Sequence, residues 1–334
     1  MKNSDLNKIF SQFDNFNILI IGDVMIDRYL WGKVDRISPE APVPIVSCSL
    51  QEDRLGGAAN VALNIKAMGA TPFLCGITGT DKESFLFIEL MDSEKLNTEG
   101  ILSSENRKTT SKTRIISKNQ QLLRIDKEND ESVSEYIEKE FLHMVFSLMN
   151  KHNIHALIFE DYDKGTLTEN IIEQIVKKAK EINIPVLVDP KKRNFLSYKN
   201  VTLFKPNIKE LKEGLKIELN KNDIHELQKT TNILKEKLNS EKTLITLSES
   251  GIFISDGKSN KHFAAEFRDI IDVSGAGDTV IAVASLCLVS GVNDSDLAAI
   301  SNIAGGLACE KVGVVPVSRE ELLDECLKKP ELFK

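Results

Sequence analysis

The stretch Asp272-Val-Ser-Gly-Ala-Gly-Asp278 decides the fold, and an apolar run over residues 279–289 follows it without a break. Two glycines before a helical pattern let the backbone turn tightly and direct several N–H groups to one point, where the helix dipole adds positive charge. Such a turn binds anions. Asp278 then lies in the first helical turn, either as a capping residue or as a base that takes a proton from a hydroxyl during phosphoryl transfer. The motif alone does not choose between these roles.

A second glycine-rich stretch, Leu55-Gly-Gly-Ala-Ala-Asn60, opens another helical pattern that ends at Gly69. Its small residues allow the helix to lie close to a sheet, and Gly56 and Gly57 let a ligand approach the backbone. Asn60 is predicted to bind a substrate hydroxyl because an amide both donates and accepts hydrogen bonds. The alternative for Asn60 is a helix-capping role.

Composition limits the class of protein. The 334 residues are 41% hydrophobic, which is sufficient for the core of a large α/β domain. A net charge of −7 argues against a nucleic-acid surface, which needs a clustered basic face. The five cysteines are scattered singly, as reduced thiols are in cytoplasmic proteins, and neither a signal peptide nor a membrane-spanning run is recognisable. We therefore expect a soluble cytoplasmic protein that binds neither nucleic acid nor membrane.

The run over residues 16–22 has the pattern of a strand buried on both faces of a parallel sheet. Ligands of open α/β sheets bind beyond the carboxyl ends of such strands, so Asp23 and Asp27 are predicted to contact a polar substrate. A turn or capping role is the alternative for both. No Gly-x-Gly-x-x-Gly follows the strand, which argues against a dinucleotide site.

Two segments, about 28–50 and 108–127, predict a small β-sheet lid inserted into one domain that spans residues 1–334. Three prolines, at 39, 42 and 44, restrict the first segment to an extended edge. The second alternates as a hairpin that turns near residues 118–120 and pairs with the first. Its polar side chains suit a phosphorylated sugar, although a solvated hairpin is the alternative: Lys112, Arg114 and Arg124 for phosphate, and Asn119, Gln120 and Gln121 for hydroxyls.

From residue 132 the pattern is regular βα alternation, with helices at 133–149, 167–182, 222–238 and 294–310 and strands at 156–160, 185–189, 201–205, 243–248, 252–255 and 263–267. The expected fold is therefore α/β, a mostly parallel sheet flanked by helices on both faces. Polar residues follow the strands and predict one shared cleft: Asp161, Lys164, Asp189, Lys191, Arg193, Asn207 and Glu210.

Asn207 and Glu210 are three residues apart at a helix start, where they can hold Mg²⁺ through water, form a capping box, or do both. Small residues over 302–308, beginning with Asn302, offer a flat surface for adenine, with close helix packing as the alternative.

The two glycine motifs resemble the signatures of the ribokinase-like sugar kinases of the phosphofructokinase-B type, over nearly the whole chain. The resemblance implies a ribokinase-like fold, ATP and Mg²⁺. It also implies roles for single residues: Asp278 as general base, Gly275, Ala276 and Gly277 as the anion hole, Asn207 and Glu210 as the magnesium motif, Thr246, Ser248 and Gly251 as the nucleotide-binding turn, and Asp272 at a monovalent-cation (K⁺) site found in some members. Ser274 replaces the usual threonine and keeps its hydroxyl.

Within that family, residues 36–45, residues 117–126 and Asp189-Pro-Lys191 resemble the kinases of D-glycero-D-manno-heptose 7-phosphate. This implies phosphorylation of the anomeric hydroxyl to heptose 1,7-bisphosphate, for ADP-heptose and lipopolysaccharide core synthesis. Basic candidates for the sugar's own phosphate are Lys164, Lys191, Arg114 and Arg124.

Many such relatives continue into a nucleotidyltransferase domain with a His-x-Gly-His motif, which this sequence lacks, so we expect a kinase alone and adenylylation by another protein. The alternatives are a kinase of fructose, ribose or a nucleoside, and a catalytically idle nucleotide-binding regulator. Exposed lid edges favour a homodimer.

Overall fold

A computed structural model describes residues 3–118, 120–266 and 268–333. The strands are β1 (Asn17–Gly22), β2 (Val24–Ile37), β3 (Pro44–Gly57), β4 (Thr71–Thr78), β5 (Ile101–Ser103), β6 (Thr110–Ser117), β7 (Gln120–Lys127), β8 (Ala156–Glu160), β9 (Val186–Asp189), β10 (Leu203–Phe204), β11 (Lys242–Thr246), β12 (Ile252–Ser255) and β13 (Asn260–Phe263). The helices are α1 (Asn3–Gln12), α2 (Ala58–Ala67), α3 (Lys82–Ser93), α4 (Glu135–Lys151), α5 (Glu169–Glu181), α6 (Ile208–Leu215), α7 (Ile224–Leu238), α8 (Ala276–Val289), α9 (Asp294–Cys309) and α10 (Arg319–Leu327).

The large sheet has nine strands in the order β13-β12-β11-β10-β9-β8-β1-β4-β5. The strands from β11 to β5 are parallel, and β12 and β13 form an antiparallel edge. β1 is apolar from Ile18 to Ile21 because both faces are covered there: Ile18 and Ile20 pack in the core that contains α2, α8 and α9, and Leu19 and Ile21 in the core that contains α4, α5 and α7. The predicted sheet flanked by helices on both faces is confirmed.

A second sheet has four strands in the order β3-β2-β6-β7. β2 runs parallel to β6, and the other two pairs are antiparallel. The predicted hairpin is present as β6 and β7, although Asn119 lies outside the described residues. The hairpin pairs with β2, and Pro44 begins the edge strand β3, where a residue without an N–H is tolerated.

One strand was placed wrongly. The sequence predicted a strand over 263–267, whereas β13 covers Asn260–Phe263. Asp256 sets the turn before it, because its carboxylate accepts the amides of Lys258 (2.7 Å) and Ser259 (2.6 Å) and so starts the return strand early.

The register of the central strands brings three residues to one level at the carboxyl edge of the sheet. Gly22 of β1 lies beside Glu160 of β8, which lies beside Asp189 of β9. None of the helices described by the structure has the length and apolar character needed to cross a membrane.

Candidate active site

Two helix N-termini face each other beyond this edge. α2 begins after Gly57 (φ 60°), and α8 begins after Gly275 (φ 78°). Both positive φ values favour glycine, and a Cβ on Gly275 would lie 2.8 Å from Asn60 Nδ2. The two glycine turns, although distant in sequence, therefore meet across a single site.

Asp278 lies at the centre of this site and is buried. Asn60 Nδ2 donates to one of its carboxylate oxygens (2.7 Å) and the Tyr162 hydroxyl donates to the other (2.8 Å). Burial raises the pKa of Asp278, with a further contribution from Asp189, while the two hydrogen bonds and Lys205 oppose the rise. Asn60 thus holds the carboxylate to which the family resemblance assigns the role of base, and its contact with a substrate hydroxyl stays a prediction.

Three carboxylates cluster here: the oxygens of Glu160, Asp189 and Asp278 lie within 4.8 Å of one another. Lys205 is 2% exposed and its Nζ lies 2.7 Å from Asp189 Oδ2. Lys191 Nζ lies 4.0 Å from the other oxygen of Asp189. A buried lysine is therefore the internal counter-ion of the acidic cluster.

Asp23 and Asp27 have different surroundings. The carboxylate of Asp23 accepts the amides of Tyr162 (2.9 Å), Lys164 (3.0 Å) and Thr166 (3.1 Å), so it holds the loop after β8. Asp27 forms a buried ion pair with Arg114, and a side chain at Gly56 would collide with its carboxylate. These contacts agree with the structural alternative for Asp23, and the substrate role of both residues stays a prediction.

The basic candidates for the sugar phosphate are mostly paired. Lys164 contacts Glu128 (2.9 Å), Arg124 binds Asp126 through two bonds of 2.9 Å, and Lys191 pairs with Glu210. Gln121 lies exposed on β7.

Lys112 differs from these side chains, because it has no ion pair with any residue that the structure describes. Its Nζ lies 5.1 Å from the centre of the Tyr162 ring. Burial lowers the pKa of Lys112, and Asp27 opposes that effect.

The residues assigned to the nucleotide lie along the next strand ends. Asn207 and Glu210 form the capping box of α6, in which the Glu210 amide donates to Asn207 Oδ1 (2.9 Å) and the Asn207 amide to Glu210 Oε2 (2.8 Å). Thr246 pairs with Asn207 through a backbone bridge. Ser248 (φ 55°) and Gly251 (φ 87°) form the predicted turn. Asn302 Nδ2 donates to the carbonyl of Ala264 (2.9 Å). The capping role of Asn207 and Glu210 is thus present, and their carboxylate and amide oxygens are the ligand type that Mg²⁺ prefers.

The glycine turn before α8 is held from both sides. The carboxylate of Asp272 accepts the amides of Ser274 and Gly313, each at 2.9 Å. Burial acts to raise the pKa of Asp272, but these hydrogen bonds outweigh it and the pKa is lowered. The amide of Ala276 donates to the carbonyl of Val273 (3.3 Å), so this member of the predicted anion hole is already engaged within the turn.

The model of the pfkB family carbohydrate kinases matches residues 15–321. The chain belongs to this family. As a pfkB carbohydrate kinase it is an ATP-dependent enzyme, and the fold and family predicted from the glycine motifs are confirmed.

Curated relatives of this pfkB kinase carry the name bifunctional protein HldE. That of Desulfatibacillum aliphaticivorans is 38% identical over 97% of this chain and 66% of its own length, and that of Campylobacter jejuni subsp. doylei is 42% identical over 91% and 63%. The chain thus spans slightly less than two thirds of these relatives.

Solved structures share the fold at low identity. Phosphofructokinase-2 of Escherichia coli in complex with potassium has a TM-score of 0.78 at 17% identity, covering 96% of this chain and 99% of that one. Ribokinase of Arabidopsis thaliana complexed with ribose and ATP has a TM-score of 0.71 at 16% identity, covering 92% and 98%.

Sequence reasoning missed three residues of the site: Glu160, Tyr162 and Lys205. Glu160 ends β8, Tyr162 is the second residue after that strand, and Lys205 directly follows β10. A polar residue at or just after the end of an apolar strand is the signal that could have identified them. The prediction used this signal for Asp161 and Lys164, which lie near Glu160 and Tyr162, but not for these three residues.

Proposed function

We propose that this kinase transfers the γ-phosphoryl group of ATP to the anomeric hydroxyl of D-glycero-D-manno-heptose 7-phosphate, giving heptose 1,7-bisphosphate for ADP-heptose and lipopolysaccharide core synthesis. The observation that carries the chemistry is the buried Asp278, held by Asn60 and Tyr162 at the N-terminus of α8. The relatives named HldE and the resemblance of residues 36–45, 117–126 and 189–191 support the choice of sugar. We place the reaction in the cytoplasm, where ATP is available.

In this mechanism Asp278 accepts the proton of the anomeric hydroxyl as that oxygen attacks phosphorus in line. The hydrogen bonds from Asn60 and Tyr162 keep the carboxylate in one orientation, which reduces the entropy lost on reaching the transition state. The positive end of α8, with Gly275 at its N-cap and Gly277 in its first turn, stabilises charge on the transferring group.

Asn207 and Glu210 would hold Mg²⁺ through water, and the ion would supply further neutralisation of phosphate charge. K⁺ would bind near Asp272, as the family resemblance implies.

A substrate panel tests the proposal. ATP consumption is measured with heptose 7-phosphate, heptose, fructose 6-phosphate, fructose, ribose and a nucleoside. We expect the highest kcat/KM with heptose 7-phosphate. A preference for another sugar overturns the substrate, and absence of turnover with every sugar favours an idle regulator.

Within the same panel, Lys112→Met tests recognition of the sugar phosphate. Lys112 is a half-buried cation beside Tyr162 that has no ion pair in the described part of the chain, and one charged hydrogen bond to phosphate contributes about 1.5–3 kcal/mol. We expect kcat/KM to fall about 10- to 100-fold for heptose 7-phosphate and to change little for plain heptose. Lys33→Met, at an exposed lysine near the far end of β2, is the matched control. Equal losses with both sugars would exclude a phosphate contact.

We also propose that the protein forms a homodimer through the lid. Large apolar side chains are exposed on the four-stranded sheet and its turns: Ile37, Val43, Leu50, Leu122, Leu123 and Ile125. Sedimentation is expected to give twice the chain mass of 37.3 kDa, and Leu123→Lys to shift the protein toward the monomer. Phe85→Lys, at an equally exposed apolar residue on α3, is the control. A monomeric wild type at micromolar concentration would contradict the proposal.

A further inference from the structure

Glu160 is a buried carboxyl group that the mechanism has not used. It ends β8 at the middle of the large sheet and is fully buried. Across the part of the chain that the structure describes, neither of its carboxylate oxygens has a hydrogen-bond partner. Its neighbour on β1 is Gly22, which brings no side chain, and its neighbour on β9 is Asp189, which brings a second carboxylate.

The other groups that face Glu160 come from four further parts of the fold. α8 contributes Asp278, the loop after β8 contributes Tyr162, and two lysines follow the neighbouring strands: Lys191 after β9 and Lys205 after β10. Donors are unequally shared among them. Asn60 and Tyr162 donate hydrogen bonds to the two oxygens of Asp278, and Lys205 pairs with Asp189, whereas Glu160 receives no hydrogen bond from the described residues.

An ionised carboxylate without donors in such a place is very unfavourable, and proteins avoid it by binding a cation or keeping a proton. The cation is already there: the ammonium group of Lys205 lies among the carboxylates, bound to Asp189. A proton on Glu160 is the remaining way to lower the negative charge. A neutral acid also has one O–H group, which can donate a hydrogen bond to either of the two neighbouring carboxylates.

We propose that Glu160 is a neutral carboxylic acid in the working enzyme, a positioning residue that donates its one proton in a hydrogen bond to either the Asp189 or the Asp278 carboxylate and limits the negative charge beside the base. Burial, followed by Asp189 and Asp278, raises the pKa of Glu160 well above its ordinary value, in agreement with this assignment. The inference rests on the proposed role of Asp278 as base, but it does not depend on which sugar is bound.

A functional consequence follows at high pH. When Glu160 loses its proton, a further negative charge appears beside the place where ATP and a sugar phosphate must approach. We therefore expect kcat/KM to fall as Glu160 ionises.

Glu160→Gln keeps the size of the side chain and its neutral charge. The native state retains a proton on Glu160 that the unfolded state releases above a pKa of about 4.3, so this residue makes the wild type lose stability as pH rises. Glu160→Gln has no proton to release at this position, so its stability does not show this decrease with pH. Between about pH 5 and the raised pKa, the unfolding constant of the wild type relative to Glu160→Gln should increase up to about tenfold per pH unit. Urea unfolding at several pH values measures this ratio.

Glu99→Gln is the matched control. Glu99 is largely exposed and contacts Lys151 and His152, whose hydrogen bonds lower its pKa, so it is ionised in both states above pH 5. The ratio for this control should stay constant with pH. A constant ratio for Glu160→Gln would show that Glu160 is ionised in the native protein and would overturn the proposal.

The activity profile is the second measurement. With any sugar that is turned over, Glu160→Gln should keep kcat within about threefold at neutral pH and move the alkaline decline of kcat/KM to higher pH. An unchanged alkaline decline, or a loss of about 100-fold at neutral pH, would refute the positioning role. Unfolding needs no substrate, so a failure of the proposed sugar leaves that result standing. If the variant does not fold, the infrared carbonyl band of a protonated, buried carboxyl group in the wild type decides: its absence overturns the proposal.

Discussion

Replacing Asp278 with asparagine is expected to lower kcat by about 10²- to 10⁴-fold, because asparagine cannot take the proton of the attacking hydroxyl. This corresponds to about 2.7–5.5 kcal/mol of transition-state stabilisation. Binding of ATP and sugar should change little, since the side chain keeps its size and in the proposed mechanism meets the reacting hydroxyl rather than the phosphates. Single-turnover rates and calorimetric binding constants separate the two effects.

The pH dependence of the wild type provides a second measurement on the same residue. Burial raises the pKa of Asp278, and the base must be ionised to act. Activity should therefore fall as pH decreases through a value above the ordinary aspartate pKa of about 3.9. In Asp278→Asn this acid limb should disappear.

Asp296→Asn is the matched control for Asp278→Asn. Asp296 is also a buried aspartate in the first turn of a helix, α9, where its contacts are with the capping residue Asn293. This control should retain turnover. If Asp278→Asn kept kcat within about fivefold of the wild type, the assignment of the base would be wrong.

Replacing Lys205 with methionine is expected to destabilise the fold by about 3–5 kcal/mol, the cost of removing one partner from a buried ion pair. Lys205 is buried at 2.7 Å from Asp189, and two more carboxylates, Glu160 and Asp278, lie beside that pair. Without the ammonium group, the charges of Asp189 and Asp278 lose their internal counter-ion, beside the Glu160 carboxyl group. Urea or thermal unfolding measures the loss.

Two comparisons isolate the cause. Lys151→Met removes an exposed ion pair with Glu99 and should cost less than about 1 kcal/mol. The double variant Lys205→Met/Asp189→Asn removes both buried charges and should regain most of the stability lost by the single one. A Lys205→Met protein as stable as the Lys151→Met control would show that the cluster carries no uncompensated charge.

The parts of the fold that sequence predicted well are those in which a local pattern carries the information. β1 and β8 each contain four consecutive apolar residues, 18–21 and 156–159, a pattern typical of a parallel strand covered on both faces. The glycine turns were recognisable because positive φ at Gly57 and Gly275 restricts the residue type. Short or one-sided elements carried less signal: β5 has only three residues, and α1 and α10 were not predicted, although Ser318 and Glu321 form a capping box at the start of α10.

The site was harder to predict because it depends on strand order. Lys205 reaches Asp189, next to Tyr162 and Asp278, only because β10, β9, β8 and β1 are neighbours in the sheet, and the chain sequence does not specify that order. Ion pairs also determine which basic residues remain available for a phosphate, and some of these pairs join segments that are distant in sequence. Arg124 and Asp126 lie two apart on one strand face, so their pairing was recognisable, whereas the pairing of Arg114 with Asp27 joins distant segments.

The way in which the lid joins the main body has a mechanical consequence. β1 passes into β2 through Asp23 alone, and β3 passes into α2 directly after Gly57. The amide of Ala58 donates to the carbonyl of Asp23 (3.0 Å), so a hydrogen bond joins the two connections between the lid and the main body, which together form the hinge of the lid. Asp23 also holds the amide of Tyr162, and Gly57 precedes Asn60 by one helical turn. The two side chains that orient Asp278 are thus anchored at the hinge itself. Under the proposed mechanism, a rotation of the four-stranded sheet about this hinge would shift both supports of Asp278, and sugar capture would then be tied to the readiness of that carboxylate.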